Sequence, residues 1–192
     1  MTNVSADLIK EGTTELFVYT KKATAKGPSI RDQNPFYNPS MELNRDISIL
    51  VNQWLLNTST KHVHILDGLA ASGIRGVRLA HELSGDFTVT INDWNEQSFS
   101  LIQQNIQKNS LQNISVLQRD LNNLLSERRY HVIDIDPFGS PVYFFDAAVR
   151  SVYDKGIIAC TATDTAALCG VFPRVCYRRY AAWPSHSPAM HE

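Results

Sequence analysis

From His62 to Thr161 the chain alternates short apolar runs with amphipathic stretches, and this alternation constrains the fold more than any other feature. Val63-His64-Ile65-Leu66-Asp67 reads as a strand and Ile74 to Leu83 as a helix. Phe87 to Asp93 is a second strand, followed by a helix over Glu96 to Lys108 with Phe99, Ile102 and Ile106 on one face. Ile114 to Arg119 is a third strand and Val132 to Asp136 a fourth; Ala147 to Tyr153 closes a helix, and Gly156 to Thr161 is a fifth strand. Strands alternating with helices pair in parallel through right-handed crossovers, so the expected fold class is α/β: an open, mostly parallel sheet with helices on both faces. Ligands of such sheets bind beyond the carboxyl ends of the strands, where strand order reverses. The residues just after each strand are therefore the informative ones.

Ahead of the sheet, residues 1–60 read as an N-terminal hairpin, loop and helix. Leu8 to Gly12 and Leu16 to Tyr19 are two short strands around a turn, and Lys21 to Asn34, broken by Gly27-Pro28 and Asn34-Pro35, is a loop. Asn38-Pro39-Ser40 opens a helix in which Leu43, Ile47, Leu50, Val51 and Trp54 form one apolar stripe, expected to face the core. Residues 61–192 are the sheet core.

With 43% hydrophobic residues and a formal net charge of −1, the chain is no disordered segment and carries no general electrostatic bias toward nucleic acid. No apolar run approaches the roughly 20 residues of a membrane-spanning helix, and Met1 to Gly12 lacks the basic start and apolar stretch of a secretory signal. Cys160, Cys169 and Cys176 cannot all pair and match no zinc spacing, which fits a reducing, intracellular setting and no metal. His62 and His64 share a strand face without a ligand partner nearby and read as core or edge histidines, and Cys169, which lacks an activating base, reads as a small buried residue.

Four strand ends carry the chemistry. The first strand runs into Asp67-Gly68-Leu69-Ala70-Ala71-Ser72-Gly73-Ile74-Arg75-Gly76, which reads either as a plain tight strand-to-helix turn or as small residues that let backbone approach a ligand at a helix start. Gly68 and Gly73 have the P-loop interval, but Ile74-Arg75 replaces its Lys-Ser/Thr, and the dinucleotide pattern G-x-G-x-x-G is absent. That pattern's absence argues against an NAD-dependent dehydrogenase. Asn92-Asp93 after the second strand suits ribose hydroxyls or a helix cap. Asp120-Leu121 after the third suits an adenine edge or, again, a cap. After the fourth stands Asp134-Ile135-Asp136-Pro137-Phe138-Gly139-Ser140-Pro141, either a rigid structural turn or a stiff loop suited to a planar amine, where a carboxylate accepts the amine's hydrogens while a phenyl ring stacks on the base.

With these loops in hand, the chain resembles the class I S-adenosylmethionine-dependent methyltransferases, and within them the tRNA (guanine-N2) dimethyltransferase family. The likeness rests on Phe36-Tyr37-Asn38-Pro39 with Asn44-Arg45-Asp46, on the Asp67–Gly76 and Asn92-Asp93 segments, and on Asp134 to Pro141. It continues through Thr161-Ala162-Thr163-Asp164-Thr165, Leu168-Cys169-Gly170, Pro173-Arg174 and Arg178-Arg179-Tyr180 to His191-Glu192. The resemblance implies a Rossmann-like sheet and transfer of one or two methyl groups from S-adenosylmethionine to the exocyclic N2 amine of guanine, at tRNA position 26. It implies that Asp93 binds the cofactor's ribose, Asp120 and Leu121 its adenine, and Arg45 and Arg75 its methionine end, with Asp67 in the same set. It also implies that Asp136 holds the target amine while Phe36 and Phe138 sandwich the guanine. A non-catalytic nucleoside- or RNA-binding remnant, and a methyltransferase of another amine, are the competing readings.

The family pattern runs past Glu192, so five of seven strands and no C-terminal tRNA-binding domain are expected in this chain. Cytoplasm is the expected compartment, with the nucleus or mitochondrion open to a eukaryotic relative, and tRNA the expected partner. Arg174, Arg178 and Arg179 with Tyr177 and Tyr180 form a basic-aromatic cluster that reads either as a solvated helix face or as a contact for phosphates and bases. Lys21, Lys22 and Lys26 are equally ambiguous.

Overall fold

The computed structural model describes residues 6–20 and 35–185. The loop and lysines expected between Lys21 and Asn34 lie outside the described residues. Strands β1 (Asp7–Glu11) and β2 (Thr14–Val18) form the antiparallel hairpin that the sequence predicts. Asn38 caps a short 3-10 turn, Pro39–Met41, through a bond from the Ser40 amide, and helix α1 (Glu42–Thr58) follows directly.

The remainder alternates as expected: β3 (Val63–Asp67), α2 (Ile74–Glu82), β4 (Phe87–Asn92), α3 (Glu96–Lys108), β5 (Ile114–Leu117), α4 (Leu121–Glu127), β6 (Tyr130–Ile135), α5 (Val142–Ser151) and β7 (Val152–Cys160). Two short helices close the described chain, α6 (Thr165–Leu168) and α7 (Pro173–Tyr180). The five strands β5-β4-β3-β6-β7 are all parallel in that order, so the order reverses between β3 and β6. One helix boundary differs from expectation. Tyr153 belongs to β7, not to the preceding helix: Tyr130 pairs with Val152 and Val132 with Ile157, a bulge that includes Lys155 at φ +62° and lets the strand start early.

Both sheet faces are buried, which is why the strands read as near-continuous apolar runs. On one face Ile65, Val89, Ile91 and Val132 pack with Val77 and Leu79 of α2, Ile102 of α3 and Leu16 of the hairpin. On the other, Leu66, Ile133 and Ile135 pack with Leu121, Leu124 and Leu125 of α4 and Ala148 of α5. Each such side chain contributes about 1.5–3 kcal/mol when fully buried. Helix α4 has only seven residues. Toward the amino ends of the strands His64 therefore stands exposed beside half-buried His62 and His131, bonded to Thr88 and stacked ring on ring rather than packed in the core.

Helix α1 has the expected period but the opposite phase. Leu43, Ile47, Leu50 and Trp54 are 70%, 51%, 70% and 62% exposed. The inward stripe is Arg45, Ile49, Asn52 and Leu56, polar at two of four places. Arg45 bonds both Glu11 oxygens, at 2.6 and 2.7 Å, and Arg78 reaches the same carboxylate at 2.8 Å. Burial pushes the Glu11 carboxyl up, but the two guanidiniums together outweigh it and hold the acid below its usual range. Buried ion pairing, not the apolar stripe, seats α1 on the hairpin and α2.

Candidate active site

The carboxyl ends of β3, β4 and β5 are stitched together by one side chain. Asn92, fully buried, donates to the carbonyls of Gly68 and Arg119 and accepts from the Arg119 amide. The small-residue loop after β3 is tied on both sides, Gly68 N to Asp134 O and Ala70 N to Asn92 O, each 3.0 Å. It ends at Gly73, φ +75°, where a Cβ would lie 2.5 Å from Ile102 Cγ1; only glycine fits that backbone at that distance. Ala71 is also left-handed, at φ +47°, a strained backbone for an alanine. Its amide donates to Asp93 Oδ2 at 2.7 Å.

Asp93 is 8% exposed, and burial raises its carboxyl above the usual range. The helix cap is Asn95, not Asp93. Asp93 accepts the amides of Ala71 and Asn95 and also bonds Ser98, three of the roughly four acceptor positions of a carboxylate. One is left for a ligand. Asp120 does cap α4, through the Asn123 amide at 2.9 Å. Leu121 turns its side chain inward beneath Gly68, and its amide, at the first helical position, has no partner within the helix.

At the β3–β6 reversal Arg75 sits among acids. Its Nη2 is 3.0 Å from Asp136 Oδ2, its Nε 3.3 Å from Asp134 Oδ1, and its Nη1 donates to Ser48 of α1 at 2.6 Å. Asp67, beside them, accepts the Gly76 amide at 2.9 Å. Burial pushes Asp67 up to about 6 and Asp134 up to about 7, against the pull of Arg75. Asp134 Oδ1 is buried without a hydrogen bond, since the Arg75 Nε–H is misaligned with it. One cation thus faces three carboxylates, a site whose charge suits a cationic ligand.

The loop Asp136 to Pro141 is clamped from its far side. Gly139 and Thr163 exchange two bonds, at 2.8 and 2.9 Å. Ser140 donates to the Tyr180 hydroxyl of α7, which donates to Asp164. Asp136 keeps Oδ1 free of partners among the described residues, and its side chain is 31% exposed. Phe36 and Phe138 touch edge to face, centroids 5.2 Å apart and planes at 70°. Such contact leaves no slot between the two rings, and Phe138 is exposed.

The sequence brings Asp67, Arg75, Asp93, Asp120, Leu121, Asp136, Phe138 and Phe36 to this one edge. Arg45 lies behind it, its fork taken by Glu11 and its Nη2 also bonding Asn38 O at 3.1 Å; Nη1 has no bond among the described residues. Ser48, Thr163, Asp164 and Tyr180 were missed as supports, and Asp134 was read without a role. A charged residue inside the run Val132-Ile133-Asp134-Ile135 was the available signal for the last. A cleft of about 640 Å³ between α4 and α5, near Arg128, Arg129 and Arg150, lies toward the amino ends of the strands, away from these groups.

A family model described as N2,N2-dimethylguanosine tRNA methyltransferase matches residues 13–192. The chain belongs to this family. A tRNA (guanine(26)-N(2))-dimethyltransferase of Methanococcus maripaludis is 42% identical over 183 residues, covering 92% of this chain and 48% of the relative. The one from Methanocaldococcus jannaschii is 41% identical over 192 residues, covering 96% and 50%. The chain therefore spans about half the length of the curated relatives it matches. Among solved structures, the Pyrococcus horikoshii Trm1 complex with S-adenosyl-L-methionine superposes with a TM-score of 0.81 at 36% identity, over 96% of this chain and 50% of that one. Pyrococcus abyssi Trm5b, TM-score 0.63 and 16% identical over 81% of this chain and 40% of its own, shares the fold.

Proposed function

We propose that the chain binds S-adenosylmethionine along this edge and methylates the N2 amine of a guanine in tRNA, at position 26, once or twice. The observation that carries the reading is Asp136: one oxygen is fixed by Arg75, the other has no partner among the described residues, and Phe138 of its loop meets Phe36 edge to face. The donor set fits the cofactor. Two positive groups, sulfonium and α-ammonium, match the excess of carboxylates around Arg75, while Asp93 retains an acceptor for a ribose hydroxyl and Asp120-Leu121 offers an acid and an amide to adenine. Bound there, S-adenosylmethionine supplies an electrophilic methyl.

The chain's own residues do the rest. Asp136 Oδ1 accepts an N–H of the guanine amine, favouring the pyramidal nitrogen whose lone pair is no longer spread into the ring. Phe36 and Phe138 part to hold the base and keep water off. Arg75 keeps Asp136 oriented. Arg45 has its Nη1 to offer the methionine carboxylate, a single contact rather than a fork. Positioning two bound reactants contributes up to roughly 7–11 kcal/mol. As the N–CH3 bond forms and the S–CH3 bond breaks, the sulfonium becomes a neutral thioether and the nitrogen becomes cationic; its proton then passes to Asp136 Oδ1 or to water, so no strong base is needed. No helix among the described residues is long and apolar enough to cross a membrane. A tRNA substrate supports the cytoplasm as the compartment, with the nucleus or mitochondrion open to a eukaryotic relative.

The test is label transfer from methyl-labelled S-adenosylmethionine to unmodified tRNA transcripts carrying guanine or adenine at position 26. Label on the guanine transcript alone is the expected result; none on either transcript overturns the proposal.

A further inference from the structure

Resting on the reading of tRNA as substrate, we propose that the outer face of α7 is a contact surface for the tRNA strand flanking the target guanine. Arg174, Tyr177 and Arg178 are spaced i, i+3 and i+4 on an eight-residue helix, share one exposed face, and turn away from buried Cys176. Neither Arg174 nor Arg178 has an ion-pair or hydrogen-bond partner among the described residues. Arg179, by contrast, pairs with Asp164 at 2.9 Å and belongs to the scaffold. Tyr177 stacks on Trp183, centroids 5.2 Å apart and planes at 24°, and both rings are more than half exposed.

Charge supports a polyanion. Between Asp164 and Glu192 the sequence has no acidic residue, although the whole chain carries a net charge of −1. Position decides which polyanion. Tyr180, on the inner side of the same helix, accepts the Ser140 hydroxyl of the loop that carries Asp136 and Phe138, so the free guanidiniums are held beside that loop. A base drawn out of its stack leaves its neighbouring phosphates at the rim of the pocket. Two unpaired guanidiniums meet such phosphates, and an exposed ring pair takes an unstacked neighbouring base.

The experiment measures binding of an unmodified tRNA transcript to the chain without cofactor, by fluorescence anisotropy across a salt series. Arg174→Ala/Arg178→Ala should weaken binding about tenfold near 0.1 M salt and reduce the slope of log K against log salt by about 1.4–1.8. Arg174→Lys/Arg178→Lys should keep most of that slope, and Tyr177→Ala should weaken binding with the slope unchanged. Unchanged affinity and slope in the double alanine variant overturn the proposal. So does an unfolding temperature lowered with RNA binding intact, which marks a face that packs on protein, or an unaltered chain that binds no tRNA. A chain that methylates guanine-26 transcripts while the double variant binds normally sinks this inference alone. A reduced slope without methyl transfer sinks the proposed activity alone.

Discussion

Arg75 Nη2 lies 3.0 Å from Asp136 Oδ2, and the same guanidinium donates to Ser48 at 2.6 Å. A single charged group therefore links the helix ahead of the sheet to the loop after β6, across the point where strand order reverses. Because only one Asp136 oxygen is engaged, the contact sets the carboxylate's orientation without consuming its acceptor capacity. The Gly139–Thr163 bonds brace the same loop from the other side.

Replacing Asp136 should separate chemistry from cofactor binding. Asp136→Ala is expected to abolish methyl transfer while cofactor affinity, measured by calorimetry, stays within a few-fold. A large loss of cofactor affinity in that variant would remove Asp136 from the amine and put it in the cofactor site.

Arg75 carries more of the fold than of the reaction. Arg75→Gln leaves Asp134 and Asp136 without their cation, and removing one partner from a buried pair costs about 3–5 kcal/mol. Thermal unfolding should register that as a large drop in Tm. Ser48→Ala removes a single bond and should cost about 1 kcal/mol. Equal stability of Arg75→Gln and the unaltered chain would mean that its ion pairs do not hold in solution.

The parallel sheet, the hairpin and the gathering of the candidate residues at the carboxyl edge of the sheet were legible because strand and helix periods differ and because strand ends carry small or acidic residues. The phase of α1 was not legible. Apolar spacing marks a helix face, but Arg45 and Asn52 take the inner face here because Glu11 and Arg78 make a polar contact that pattern reading assigns to solvent. Trp54 was expected in the core for the same reason and is exposed. Cys169 reads as a small buried residue, yet the buried cysteine is Cys176 on the inner side of α7. Tertiary partners such as Ser48 for Arg75, or Tyr180 for Ser140, join residues 27 and 40 positions apart, and no local pattern encodes them.

Asp93 joins the loop after β3 to the start of α3 through the Ala71 and Asn95 amides. Asp93→Ala should weaken cofactor binding by about 1.5–3 kcal/mol if its remaining acceptor takes a ribose hydroxyl in a charge-assisted bond. Ser98→Ala frees a further acceptor and should leave affinity equal or slightly higher. Cofactor affinity unchanged in Asp93→Ala would reduce Asp93 to a brace for Ala71 and Asn95.

The acids around Arg75 make cofactor affinity depend on pH in a definite direction. In the folded chain Asp134 titrates near 7 and Asp67 near 6, both above the ordinary aspartate value of 3.8, because burial disfavours their charge. Between about pH 4 and 7 the folded chain thus holds protons that the unfolded chain has released. Their contribution to stability is fully present below about pH 4 and is lost as pH rises through 6 and 7. A cationic ligand reverses the preference, since it binds the ionised carboxylates better. S-adenosylmethionine affinity should therefore tighten between pH 5 and 7, while the ligand-free chain becomes less stable over the same interval. Asp134→Asn keeps the shape and removes one titrating group, so both slopes should flatten relative to the unaltered chain, and the comparison cancels any titration of the cofactor itself. Calorimetric titrations at pH 5, 6 and 7 decide it: parallel profiles for the two proteins would mean that Asp134 does not change its protonation over this interval.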